Sequence, residues 1–158
     1  MAGMHHKLTI LRSYWRGAHA DDTQSMQKKF TRSFDSLGAI YEFTEDVLTS
    51  GDVQDAARFP VHLAMEELFT NMVKYCPGND NEILLDVTTN DGDVSVVITD
   101  YDVDPFDVTT PRDVDTETPL GRRIPGGLGL HLVQHMVDSL EYDYHDRQST
   151  VRFTKESG

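Results

Sequence analysis

The sequence predicts an α+β fold, a two-layer sandwich in which a sheet carries helices on one face. Three observations lead there. Apolar residues recur at helical spacing over two long stretches before Cys76, and alternating apolar segments follow in two pairs. A third helical stretch separates those pairs. Strands and helices in that order, without regular alternation, favour a sheet covered on one side.

Taken in chain order, Leu8 and Ile10 with the polar residues between them read as a short strand, and residues 18–22 as a loop. Over residues 25–48, Phe30, Phe34, Leu37, Ile40, Tyr41, Val47 and Leu48 recur at helical spacing, and Gly51 stands where a C-cap is expected. This predicts a long amphipathic helix, interrupted near Gly38. Residues 53–75 predict a second helix with Val61, Met65, Leu68 and Met72 as its core stripe; Pro60 bends it or marks its first turn. Residues 76–80 break that helix. Segments 83–89 and 94–99 flank Asn90-Asp91-Gly92-Asp93, a strong hairpin signal.

Residues 100–125 carry the prolines and acidic clusters of irregular backbone, and connections of that length are often lids. A third helix follows Gly127 with Leu128, Leu132, Val133, Met136 and Val137 on one face, ending near Leu140. Alternating segments 140–145 and 150–154, turning at Asp146-Arg147-Gln148, close the chain. No composition break divides the 158 residues, which read as one domain spanning 1–158.

Composition narrows the function. Lys plus Arg total 14 against 27 Asp plus Glu, and a net charge of -13 disfavours nucleic acid or an anionic membrane as partner. The macromolecular partner expected is protein. A single cysteine, Cys76, excludes an intrachain disulfide framework and a thiolate metal site. No apolar run approaches the roughly 20 residues that span a bilayer, and residues 1–7 lack the apolar core of a signal peptide, so a cytoplasmic location is expected.

Two segments carry chemistry. Glu67 and Asn71 stand one helical turn apart, on the same face as Leu63 and Lys74 and beside the apolar stripe. An amide oxygen can ligate a magnesium ion already neutralised by phosphates, and a carboxylate can take a proton from an attacking hydroxyl. Glu and Asn four apart are also common on solvated helix surfaces. Pro125-Gly126-Gly127-Leu128-Gly129-Leu130 opens the third helix without side chains at three positions, where free N–H groups can receive phosphate. Tight packing against a sheet would use the same glycines. No glycine follows Gly129 at the dinucleotide-fingerprint spacing, and no Gly-Lys-Ser/Thr makes a Walker loop.

Residues 100–107, Asp-Tyr-Asp-Val-Asp-Pro-Phe-Asp, place acids at alternate positions as a calcium loop does. Pro105 stands at its glycine position and Pro111 at its twelfth, which rejects that reading. A carboxylate just past a strand can instead accept a hydrogen bond from an exocyclic amine such as that of adenine. His62, His131 and His135 are assigned nothing.

In this order the segments resemble the GHKL (Bergerat-fold, histidine-kinase-like) ATPases, most closely the anti-sigma-factor serine/threonine kinases of bacterial partner switches. Residues 67–71 match the family's N box, 100–107 its first glycine-box region ending in Pro-Phe-Asp, and 126–133 its second. The resemblance covers nearly the whole chain. It implies a mixed, mostly antiparallel sheet, ATP and Mg2+ as cofactors, Glu67 as base on a protein serine or threonine, and Asn71 as metal ligand. Asp100 would hold the adenine amine. Lys74, Gly126, Gly127, Leu128, Gly129 and Leu130 would line the nucleotide, with 108–125 as lid, Arg122 and Arg123 against the triphosphate, and Thr150 near the base. One departure stands out: Asp102 replaces the family's glycine, and one extra residue separates Asp100 from Phe106. Counted back from Phe106 without a gap, Tyr101 takes the carboxylate's place.

The partners implied are a sigma factor and an anti-anti-sigma (STAS-domain) protein, with a homodimer possible. A sequestering module of the same fold with little or no phosphotransfer is the alternative. The catalytic part of a sensor histidine kinase is a third, weaker reading, since no phosphoacceptor helix hairpin precedes the ATPase segments.

Overall fold

A computed structural model describes residues 23–110 and 128–158. In chain order these form β1 (Gln24–Phe30), a single 3-10 turn (Phe34–Ser36), α1 (Leu37–Ser50), α2 (Asp55–Tyr75), β2 (Ile83–Asn90), β3 (Asp93–Tyr101), α3 (Leu128–Met136), β4 (Ser139–His145) and β5 (Gln148–Lys155). The five strands make one sheet in the order β1-β2-β3-β5-β4, with every described pair antiparallel. This is the α+β architecture the sequence predicts. The strand expected at Leu8 lies outside the described residues.

The helix expected over 25–48 is the main correction. Its first quarter is β1, paired with β2 from Gln24↔Thr89 to Phe30↔Ile83, and the helix starts only at Leu37. Met26 and Phe30 are four residues apart, a spacing that fits one helix face and one strand face alike. Pairing with β2 decides between them. Phe30 then packs edge-on against Phe43 of α1, ring centroids 5.6 Å apart. Ser33 caps the 3-10 turn by accepting a hydrogen bond from the Asp35 N–H at 3.2 Å, so the chain reverses from strand to helix within six residues.

Alternation along the strands puts Ile83, Leu85 and Val87 of β2, Val94, Val96 and Ile98 of β3, and Val151 and Phe153 of β5 on the side facing the helices. Ile40, Phe43, Val47 and Leu48 of α1 and Val61, Met65, Leu68 and Phe69 of α2 complete the core. Pro60 lies inside α2 and is buried. The α3 stripe is rotated from expectation: Leu130, Val133 and the following Val137 are buried, while Leu128 and Leu132 are 45% and 41% exposed. Both sets have helical spacing, and contact with α2 selects the first.

Both hairpin turns place two consecutive residues at positive φ, Asp91 (51°) with Gly92 (84°) and Asp146 (48°) with Arg147 (62°). That is the signature of the tight turn matching strand twist. No helix among the described residues is long and apolar enough to cross a membrane.

Candidate functional site

The regular i, i+4 spacing of α2 sets Glu67 and Asn71 one above the other, on the side where α3 begins. Asn71 is 4% exposed, and its Nδ2 is buried without a hydrogen-bond partner among the described residues. A buried, unpaired amide is costly and marks a place where a further polar group belongs. Glu67 is half-buried, and α3 is seated directly on it: a Cβ at Gly129 would fall 1.9 Å from Glu67 Oε2. Only glycine permits this approach. The structure thus joins Glu67, Asn71 and the Gly129 turn at one end of a cleft.

The other end is built on β3 and β5. Asp100 pairs with Ser149 across the two strands, and its core-facing position leaves it 2% exposed. Strand alternation aims Asp100 inward and Tyr101 away, so Asp100 and not Tyr101 is the carboxylate in the cleft. Just beyond the strand Asp102 adopts φ 56°, a left-handed conformation that glycine adopts without strain. The Asp102 side chain is two-thirds exposed and accepts a 2.6 Å hydrogen bond from Arg147 Nε. It points to solvent rather than crowding the cleft. Bonds to Asp102 and Asp104 hold the Arg147 guanidinium above its ordinary pKa.

Residues 102–109 are strapped down along their length. Asn79 Nδ2 donates to the Tyr101 and Asp102 carbonyls at 2.9 and 3.0 Å, and Tyr144 Oη to the Val103 carbonyl at 2.9 Å. The Phe106 N–H donates to Tyr142 Oη at 2.8 Å, and Gln134 Nε2 to the Val108 carbonyl at 3.1 Å. Phe106 stacks on Tyr75 of α2 with ring centroids 4.4 Å apart. Under this cover lies a cavity of about 30 Å³ bordered by Asn71, Cys76, Asp100, Phe106, Ser149 and Val151. Burial, and then the nearby Asp100 charge, raise the Cys76 thiol pKa.

Asp100 is not free within this end. The Arg32 guanidinium grips it with both terminal nitrogens, Nη1 to Oδ2 at 3.2 Å and Nη2 to Oδ1, and Nη1 also donates to the Met72 carbonyl at 2.9 Å. Both side chains are within 5% of full burial. Sequence reading missed Arg32 because residues 25–48 read as one helix. Ending a strand at Phe30, in line with Ile83 and Asp100 across the sheet, would have placed Arg32 beside Asp100.

The other candidates fall as follows. Lys74 is exposed, Leu128 is exposed and Leu130 is packed in the core. Thr150 pairs with Thr99 and so lies on the opposite sheet face; Ser149 and Val151 border the cavity in its place. Arg122, Arg123, Gly126, Gly127 and the lid beyond residue 110 lie outside the described residues. His62 stacks on Tyr41 and bonds Glu45 at 2.8 Å, away from the cleft.

Residues 30–155 match the family of histidine kinase-like ATPase domains. The chain belongs to that family. The ATPase fold is seen again in the crystal structure of the RsbU and RsbW domains of Rv1364c from Mycobacterium tuberculosis, with a TM-score of 0.60 at 12% identity. That likeness covers 84% of this chain and 32% of the other, so the chain spans about a third of that protein's length. No curated protein matches the sequence.

Membership of an ATPase-domain family implies nucleotide use. The residues at the α2–α3 end fit a phosphate group with its metal: the unpartnered Asn71 Nδ2 is a donor suited to a phosphate oxygen, the Asn71 Oδ1 and the Glu67 carboxylate are oxygens of the kind a hard cation takes, and the helix start has no side chain at Gly129. The β3–β5 end has the expected carboxylate, paired with Arg32.

Proposed function

We propose that the chain is an anti-sigma factor and serine/threonine-protein kinase of a bacterial partner switch, acting in the cytoplasm. It binds a sigma factor and phosphorylates an anti-anti-sigma protein of the STAS type, using ATP with Mg2+. The observation that carries the reading is the seating of Gly129 on the Glu67 carboxylate beside the buried Asn71, whose unpartnered Nδ2 is a donor for a phosphate oxygen. Bound Mg-ATP supplies the phosphoryl group. Asn71 holds the metal, while Glu67 accepts the proton of the incoming serine or threonine hydroxyl and raises its nucleophilicity. Gly126, Gly127 and Gly129 offer backbone N–H groups to the phosphates, and Arg122 and Arg123 add positive charge.

Family membership and the fold shared with an RsbW-domain structure support this reading. A protein partner is further supported by a mainly apolar groove of about 230 Å³ between α1 and α2, lined by Leu37, Ile40, Tyr41, Phe59 and Leu63 together with His62 and Glu66. Phe59 and Tyr41 are 64% and 55% exposed there.

The test is transfer of labelled phosphate from ATP to a STAS-domain antagonist. The kinase reading expects a phosphoserine or phosphothreonine on the antagonist. Glu67→Ala should cut transfer by at least about 100-fold with an unchanged circular dichroism spectrum; full transfer by that variant would remove Glu67 as base. The second reading, a sequestering module without phosphotransfer, is favoured by one observation, the engagement of Asp100 by Arg32. It expects sigma-factor binding with no labelled product.

A further inference from the structure

A purine that is to be recognised by Asp100 must meet at least one of its oxygens, and Arg32 bonds both. The arginine reaches Asp100 from the β1 side, past Ile83, with its charge also against the Met72 carbonyl near the C-terminal end of α2, where cations are favoured. Each carboxylate oxygen accepts two hydrogen bonds, so the grip alone leaves lone pairs over; what withholds Asp100 is its burial, 2% exposed, with the Arg32 guanidinium packed across both oxygens by charge-assisted bonds. Removing Arg32 from a carboxylate that stays buried leaves an uncompensated charge. The remaining space agrees: about 30 Å³ takes a water or two, not a purine ring.

The pair also carries a built-in cost. Arg32 Nε is buried without a partner among the described residues, so the guanidinium is incompletely satisfied where it sits.

We propose that Arg32 is a specificity-determining latch at the base end of the cleft: while it holds Asp100, the site binds nucleotides through their phosphates and does not select a 6-aminopurine. This rests on the nucleotide reading above. Freeing Asp100 restores both affinity for ATP and its preference over ITP, which carries a 6-oxo group in place of the amine.

The experiment is a calorimetric titration of the full chain with Mg-ATP, Mg-ITP and Mg-tripolyphosphate, for wild type and Arg32→Gln. Wild type should bind ATP and ITP within about threefold of each other. Arg32→Gln should bind ATP at least about tenfold tighter, the worth of one good hydrogen bond, with ITP and tripolyphosphate unchanged. A wild-type preference for ATP over ITP of tenfold or more overturns the latch, as does an Arg32→Gln affinity for ATP equal to or below wild type. Either result would make Arg32 a support for Asp100. The wild-type ratio decides the question even should Arg32→Gln fold poorly, and Arg32→Lys, which keeps the charge but loses the bidentate grip, should fall between the two. If none of the three ligands binds wild type or variant at millimolar concentration, the nucleotide reading itself falls and the latch with it.

Discussion

The two ends of the cleft are built around the same chemical group and treat it in opposite ways. Glu67 rests against Gly129, a residue with no side chain to offer or to block, so its carboxylate stays available. Asp100 is buried deeper and is gripped by Arg32. Availability follows from what stands next to the carboxylate, not from the carboxylate itself. A reactive group must be left partly unsatisfied until its substrate comes, whereas a buried charge without a partner destabilises the fold. The half-buried Glu67 tolerates the first condition, and Asp100, 2% exposed, requires the second.

The sharpest way to break the open end is Gly129→Ala. The added methyl would fall 1.9 Å from Glu67 Oε2 and 2.5 Å from its Cδ, so something must move. What moves is the far end of a flexible side chain, and that is cheap. Phosphotransfer should therefore fall by about 100-fold, approaching the Glu67→Ala value, while the unfolding midpoint stays within about 2 °C of wild type. Unchanged transfer would mean that the position of Glu67 against α3 is immaterial to the chemistry.

The same contrast explains what could be read from sequence. Glu67, Asn71 and Gly129 are local patterns, a helix spacing and a glycine cluster, and the two turns at 91–92 and 146–147 announce themselves in the same way. Their meeting across α2 and α3 is tertiary, yet the resemblance of the ordered segments supplied it. Arg32 belongs to no motif. Its role depends on β1 being a strand, and Met26 and Phe30 satisfy strand and helix periods equally, so only pairing with β2 could settle that stretch. Thr150 and Ser149 differ by one residue and hence by a whole sheet face, a distinction that register fixes and composition does not. In α3 two apolar stripes have the right period, and the contact of Gly129 with α2 chooses between them.

Gly51→Ala provides the control that gives the comparison its meaning. A Cβ there would fall 2.1 Å from Thr89 Oγ1 and 2.5 Å from Thr89 Cβ, almost the same overlap as at Gly129. Gly51 has φ −90°, so backbone strain is not at issue. Thr89 is fully buried on β2 and branched at Cβ, and no rotamer clears the new methyl. The strand or the end of α1 must shift. We expect a loss of about 1–3 kcal/mol in unfolding free energy, read from the denaturant midpoint, with Mg-nucleotide affinity unchanged. Two glycine-to-alanine changes with equal overlap would thus separate, one losing chemistry and the other stability.

The smallest expected effect reports on the closed end. Alkylation of Cys76 needs the thiolate, and burial followed by the Asp100 charge raises its pKa, so the rate should reach half its plateau at a higher pH than for an unburied cysteine. The Arg32 charge opposes this shift. In Arg32→Gln the two influences therefore part company. Loss of the positive charge alone moves the inflection further up, while opening of the cavity relieves the burial that is its first cause and moves it down. A downward shift in that variant would show that the cavity beneath Phe106 opens when Arg32 is removed; an upward shift would show that it stays closed and that only the charge has changed.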